Sequence, residues 1–291
     1  MPDRPRASPA AGLPVLAEPL EVLYEEPGLP RWQLPHRLAA AYGGDLGLAE
    51  PCLYANFVTS LDGVVALGHE YRSSGSAISG REPADRFVMG LLRACADAVL
   101  IGAGTLRASP THHWTPEHVC PAARADFAAL RHSLGRAARP ELVVVTASGD
   151  LPLAHPALSE GALVATTVEG QRLLAGRLPA ACTLLAVGQG PRLRMGEVLA
   201  AVGARGHALV LTEGGPRLLG HLVGEGLLDE LFWTVSPVLA GRNGSRRPGL
   251  VDGRELLPGH PVRAETVSIR RRASYLFLRY RLTHNQDPDQ Q

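Results

Sequence analysis

The stretch ALVLTEGGPRLLGHLV, residues 208–223, sets the fold class. Ala208 to Leu211 is an apolar run of strand length. After Pro216, Leu218, Leu219, Leu222 and Val223 repeat at helical spacing. Paired glycines join the two, so the chain passes from strand through a tight turn into a helix. Backbone N–H groups converge at such a turn, and the helix dipole favours an anion there. Glu213 stands directly before the glycines, where its charge would oppose a phosphate. Either it turns toward a different ligand or no phosphate binds.

The same pattern occurs earlier. Ala98 to Ile101 is a buried-strand run that ends in GAGT, residues 102–105. Further strands are predicted at Leu53 to Thr59, Leu142 to Thr146, Leu163 to Thr166, Thr183 to Val187 and Glu230 to Ser236. Between them, Phe87, Val88, Leu91, Leu92 and Cys95 form one helix face, opened by a capping box from Ser79 to Glu82. Other helices are expected at Glu169 to Gly176 and Met195 to Val202. Such alternation predicts an α/β domain with a mainly parallel sheet flanked by helices. Thr266 to Arg270 and Tyr275 to Leu282 alternate differently and predict a C-terminal antiparallel hairpin, for a mixed sheet of about eight or nine strands. The domain is expected over residues 51–283. Residues 1–50 read as a variable lead-in holding one helix, His36 to Tyr42, with the first 15 or so disordered, and residues 284–291 as a polar tail.

Composition narrows the function classes. In 291 residues, 29 Lys and Arg balance 28 Asp and Glu, which gives no footprint for nucleic acid or an acidic membrane. No apolar run is long enough to span a bilayer, and the N-terminus lacks a secretory core, so a cytoplasmic location is expected. The four cysteines are scattered and form no CxxC, as in a reduced protein.

Several residues are candidates for chemistry. The two glycine turns either hold two parts of a dinucleotide or simply need positive φ. GAGTLR is not a Rossmann fingerprint, because Arg107 replaces the third glycine, and no Walker A loop is present. Asp62, in SLDG at a strand end, is either a turn residue or a working carboxylate. Arg93 ends a helix and either complements the helix dipole or clamps a carbonyl or phosphate. His112, His113, His118 and Cys120 fit no closed zinc set and read as a solvated or ligand-edge loop, so no metal is expected.

Taken in order, NFVTSLDGVVA, AISGREPADRFVMGLLRACADAVLIGAGT, LVVVT and LTEGGPRLLGHLVGEGLLDELFWTVSPVLAG resemble the reductase domain of riboflavin biosynthesis, standing without its deaminase half. The resemblance implies a dihydrofolate-reductase-like fold and NADPH as cofactor. It also implies reduction of the ribosyl group of a phosphoribosylaminopyrimidine, as in 5-amino-6-(5-phosphoribosylamino)uracil reductase. It sets Thr59 beside the nicotinamide, and Gly102, Gly104 and Thr105 against the cofactor. The turn Gly214, Gly215, Pro216, Arg217, Leu218, Leu219 then cradles the pyrophosphate, and Thr146 or Ser148 meets the adenosine side. Asn56, Ser60, Ser76, Arg93 and Glu213 would face a small heterocyclic substrate. Asp62 would organise the site by hydrogen bonding or by proton transfer through water. A homodimer is also implied, consistent with the apolar late strand at Leu231, Phe232, Trp233 and Val235. The chain departs from the family where Asn56 replaces a lysine, and where LRASPTHHWTP lacks the Asp and Arg that follow the GAGT turn. Two other readings stay open: a same-fold NADPH reductase of another substrate, and a nucleotide-binding module without turnover.

Overall fold

A computed structural model describes residues 15–68, 71, 74–188, 190, 192–242 and 247–283. The expected disordered start and polar tail lie outside these residues, apart from Val15. The strands are β1 (Glu21–Glu25), β2 (Cys52–Thr59), β3 (Ala98–Gly102), β4 (Glu141–Thr146), β5 (Leu163–Thr166), β6 (Thr183–Ala186), β7 (Leu209–Thr212), β8 (Glu230–Val235), β9 (Arg263–Arg272) and β10 (Tyr275–Thr283). The helices are α1 (His36–Tyr42), α2 (Ser74–Ile78), α3 (Pro83–Cys95), α4 (Ala103–Ala108), α5 (Pro116–Val119), α6 (Arg124–Ser133), α7 (Pro156–Ser159), α8 (Val168–Leu174), α9 (Met195–Gly203) and α10 (Pro216–Gly224).

All ten strands form one sheet in the order β1-β9-β10-β8-β2-β7-β3-β4-β5-β6. From β8 to β6 the pairings are parallel; β10, β9 and β1 add antiparallel. The mixed, mainly parallel sheet with a C-terminal hairpin is therefore as predicted. The tenth strand is β1, from the stretch read as a lead-in. That stretch is not external to the sheet: β1 pairs with β9, and Leu34, Leu38 and Leu46 are buried in the core.

Alternation along the central strands feeds two cores. Tyr54, Val99, Ile101 and Leu211 point to one face with Phe87, Leu91 and Phe127. Leu53, Ala55, Leu100 and Val210 point to the other with Val198, Leu218 and Leu222. Thus α3 and α6 cover one face, and α9 and α10 the other.

The order of connection positions the site. The chain builds β2, then β3 two places away, moves outward through β6, and returns to insert β7 between them. The carboxyl ends of β2, β7 and β3 therefore lie side by side. Their following turns are residues 60–63, 213–215 and 102–105. Such a reversal of strand order is where open parallel sheets bind ligands.

Two local expectations are corrected. Helix α3 is not capped by Ser79. Its N-cap is Glu82, whose side chain accepts from the Ala84 N–H, with Pro83 at the first position. The segment SPTHHWTPEH is not a solvated loop: Trp114 is buried, and α5 begins at Pro116.

Candidate active site

The glycines of the two turns do not serve positive φ. Gly102 has φ −89 and Gly215 φ −70, both ordinary for any residue. A Cβ at Gly102 or Gly104 would meet nothing within 4 Å, so packing does not demand glycine either. At Gly215 the nearest neighbour would be the Thr105 hydroxyl, 3.7 Å away. The two turns thus lie close to each other, with open space at Gly102 and Gly104. Gly214 differs, because a Cβ there would overlap Leu218 at 2.4 Å. That glycine is needed for packing.

Behind the second turn, Pro216 occupies the first position of α10, and the Leu219 N–H already bonds to the Gly215 carbonyl at 3.1 Å. The Leu218 and Leu219 side chains lie in the core. What this helix start offers a ligand is the backbone N–H of Arg217 and Leu218, since Pro216 has none and that of Leu219 is already bonded. The Arg217 side chain is exposed, with its Nε 3.3 Å from Asp252.

The opening puzzle over Glu213 resolves through Arg93. The Arg93 guanidinium donates to both Glu213 carboxylate oxygens, with Nη2 to Oε2 at 2.6 Å. It also donates to the carbonyls of His113 and Thr115, each at 3.2 Å, and its Nη2 lies 2.9 Å from His112 Nε2. Both partners of the ion pair are buried, at 1% and 8% side-chain exposure. Of the two roles expected for Arg93, a clamp is the one its contacts resemble, and the group it grips here is Glu213. The guanidinium neutralises Glu213 and fastens residues 112–115. Burial and the Arg93 charge hold the His112 imidazole down to about 2, so it stays neutral beside the guanidinium.

The SLDG turn is a closed hydrogen-bonded unit. Asp62 Oδ1 accepts from the Ser60 hydroxyl at 2.6 Å and from the Ala240 N–H at 2.9 Å; Oδ2 accepts from the Gly241 N–H at 2.9 Å. The Ser60 hydroxyl in turn accepts from the Val64 N–H at 3.0 Å. These bonds, the one from Ser60 foremost, lower the Asp62 carboxyl to about 2. These bonds favour the ionised carboxylate, the form suited to the first of the two roles expected of Asp62. Organising by hydrogen bonding is what its contacts do: it ties the turn after β2 to the segment after β8.

The remaining sequence candidates are dispersed. Thr59 is buried, and its hydroxyl accepts from the Trp233 indole N–H at 2.9 Å. Asn56 sits opposite Phe232, three residues before the end of β2, and lines a water-sized space of about 10 Å³ on the α3 side with Thr234 and Arg270. Ser76 is exposed on α2. Thr146 is buried at the end of β4, while the exposed Ser148 hydroxyl accepts from the Asp150 N–H at 3.3 Å. Arg107, in the last turn of α4, donates to the Asp150 carbonyl at 2.9 Å and to its carboxylate at 3.1 Å. That contact ties the turn after β3 to the loop after β4.

One acid in this region escaped the sequence reading. Asp85, in the first turn of α3, is 5% exposed. The hydroxyls of Thr234 and Ser79 lie beside its carboxylate. Burial, with the like charges of Glu213 and Glu82 adding and those two hydroxyls opposing, pushes its carboxyl up to about 6. The sequence shows only an acidic residue in a helix's first turn, which reads as dipole complementarity.

Residues 51–276 match the family of the RibD C-terminal domain. No curated protein matches the chain. Among solved structures, a pyrimidine reductase-like protein from Corynebacterium diphtheriae is similar, with 21% identity and TM-score 0.60 over 81% of this chain and 93% of that one. RibD of Acinetobacter baumannii is similar at 20% identity and TM-score 0.57, over 85% of this chain and 61% of that longer one. The riboflavin biosynthesis reductase Rib7 of Saccharomyces cerevisiae is similar at 14% identity and TM-score 0.57, over 83% of this chain and 94% of that one. At these identities the structures attest the fold. The match over residues 51–276 goes further: the chain belongs to the family of the RibD C-terminal domain, a family of NADPH-dependent reductases.

Proposed function

We propose that this protein reduces a small heterocyclic substrate with NADPH, the nearest chemistry being that of 5-amino-6-(5-phosphoribosylamino)uracil reductase. The single observation that carries the reading is the pair of glycine turns on neighbouring strands. At Gly102, Gly104 and Gly215 neither φ nor packing calls for glycine, and a side chain would project into open space. That is what close approach of backbone to an extended anionic ligand requires. The residues present fit the cofactor. Gly102, Gly104 and Thr105 would flank it, and the start of α10 would meet its pyrophosphate. Glu213 presents no obstacle, because Arg93 already neutralises it.

When bound, NADPH supplies the hydride. The chain's own work is binding, orientation, exclusion of water and provision of a proton. Thr59, fixed by the Trp233 indole, and the SLDG turn, fixed by Asp62, would wall the nicotinamide end. Ser148 and Arg107, beside the loop after β4, are the groups proposed for the adenosine side and its 2′-phosphate. The test is stopped-flow oxidation of NADPH against pyrimidine, pteridine and folate substrates, with NADPH and NADH affinities by calorimetry. Turnover of one substrate class and a clear preference for NADPH support the reading. Absence of binding refutes it.

A homodimer is part of the proposal. Trp233, Val235, Leu276, Leu278 and Tyr280 lie on one face of the sheet, with Leu278 paired to Trp233 and Leu276 to Val235, half-exposed and outside both cores. A contiguous apolar face of this kind marks an interaction surface. Light scattering should give twice the chain mass of 30.9 kDa, and Trp233→Glu should return it to the monomer value. A monomer for the unaltered protein refutes this part.

A further inference from the structure

We propose that Asp85 is the residue that holds and delivers the proton accompanying hydride transfer, an inference that rests on the reductase reading above. The observation is a contrast between buried acids. Glu230 is buried and accepts from the Arg279 Nε at 2.6 Å and Nη2 at 2.9 Å. Glu213 is likewise met by Arg93. Asp85 is as buried as these, yet no cation faces it among the described residues. Its own helix brings Glu82, whose charge is taken by Arg272 from β9. From β7 comes Glu213, whose charge is taken by Arg93. From β8 and the segment before α3 come only the hydroxyls of Thr234 and Ser79. A buried carboxyl without a cation is costly to ionise and keeps its proton more readily than its neighbours.

Its position suits the task. Thr234 pairs with Val58 in β2, one residue before Thr59 at the proposed nicotinamide end. Asp85 therefore sits beside the carboxyl ends of β2 and β8, on the α3 side. Two hydroxyl neighbours leave the carboxyl group with further hydrogen-bonding capacity. Ser79 adjoins the exposed Gly80, which gives a short route to solvent.

The chemistry balances. Hydride adds to the electrophilic carbon of a substrate C=N or C=O bond, and the π electron pair moves to the heteroatom. That atom takes the proton from the Asp85 carboxyl group, which is then reprotonated from water by way of Ser79. A bound NADPH would supply the hydride and its two electrons, and Asp85 the proton. The SLDG carboxylate is less suited to this, because three hydrogen bonds favour its ionised form.

The test uses the whole chain and two readouts. Infrared difference spectra across a pH titration should show a protonated carboxyl band near neutrality that disappears in Asp85→Asn. In turnover, Asp85→Asn should keep NADPH affinity within a few-fold and lower kcat on the order of 100-fold, the usual scale for a general acid. The decline of kcat with rising pH should disappear in the variant, and Asp85→Glu should restore part of the rate. A merely structural Asp85 would not move the pH profile. Unchanged kcat and pH profile in Asp85→Asn, with NADPH still bound, overturn this inference alone. Absence of the carboxyl band also overturns it, whatever the activity. Failure of the unaltered protein to bind NADPH overturns the reductase reading, and this inference with it.

Discussion

Glu213 and Asp85 are two neighbouring buried acids, and the fold treats them in opposite ways. Glu213 follows β7 directly and is gripped by a guanidinium that also holds two carbonyls and a neutral imidazole. It is a fixed charge, and its partner makes it a joint between α3, residues 112–115 and the β7–α10 turn. Asp85 opens the same helix that Arg93 closes, yet it meets only hydroxyls and like charges. The first arrangement builds a wall beside the glycine turns without repelling an anion. The second leaves a group able to gain and lose a proton near neutrality. Cation supply, rather than burial, separates a structural acid from a titrating one here.

The sharpest way to break the comparison is to remove the cation. Arg93→Met leaves Glu213 buried and unpaired and frees the His113 and Thr115 carbonyls. Loss of one partner of a buried ion pair typically costs about 3–5 kcal/mol. A denaturant midpoint lowered by that amount is expected, whereas a change near zero would make the pair incidental.

Asp85→Asn should move stability the other way. Its folded carboxyl sits at about 6, above the ordinary 3.8, so the native state holds more protons between those values. The stability linked to this group is full below pH 4 and is lost as pH rises through about 6. An asparagine never ionises, so the variant should be more stable than the unaltered protein above pH 6. The gain is about 3 kcal/mol at most, from a shift of roughly two pH units. Melts at pH 4.5 and pH 7.5 would show the difference opening between them; equal melts at pH 7.5 would contradict it.

A smaller effect links the two acids. Glu213→Gln removes a like charge and leaves Arg93 uncompensated, so Asp85 should titrate at lower pH. NADPH affinity should stay within a few-fold, because in the unaltered protein Arg93 already offsets the carboxylate. Tighter NADPH binding in that variant would mean that the carboxylate opposes the pyrophosphate after all. The least effect is expected from acidifying the protein to pH 4. Asp62 stays ionised down to about 2, so the SLDG turn keeps its bonds to Ala240 and Gly241, and hydrogen exchange at those amides should not change.

What the sequence revealed follows the range of the interactions. Nine of the ten strands were legible, because apolar runs and alternation are local signals. β1 was not, since it is a short edge strand with no buried residues and pairs with β9 some 250 positions away. Helix α6 was missed because RADFAALRHS mixes its apolar face with charge. The glycine turns and the SLDG turn were found as motifs, but what their side chains bond to was hidden. The Arg93–Glu213 pair spans 120 positions, and the bonds that occupy Asp62 span 178 and 179. Asp85 could not be told from an ordinary helix-start acid, since its distinction is the lack of a cation in three dimensions.

The central claim is that the two glycine turns receive NADPH, and Gly215 offers a direct test of it. Gly215 is the N-cap of α10 in an extended conformation, a place where aspartate is a favoured residue, and its Cβ would meet only Thr105 at 3.7 Å. Gly215→Asp should therefore fold with an undiminished melting temperature while setting a carboxylate against the pyrophosphate. Calorimetric titration with NADPH should give saturable binding to the unaltered protein and none to the variant. Equal binding to both, or to neither, would contradict the account.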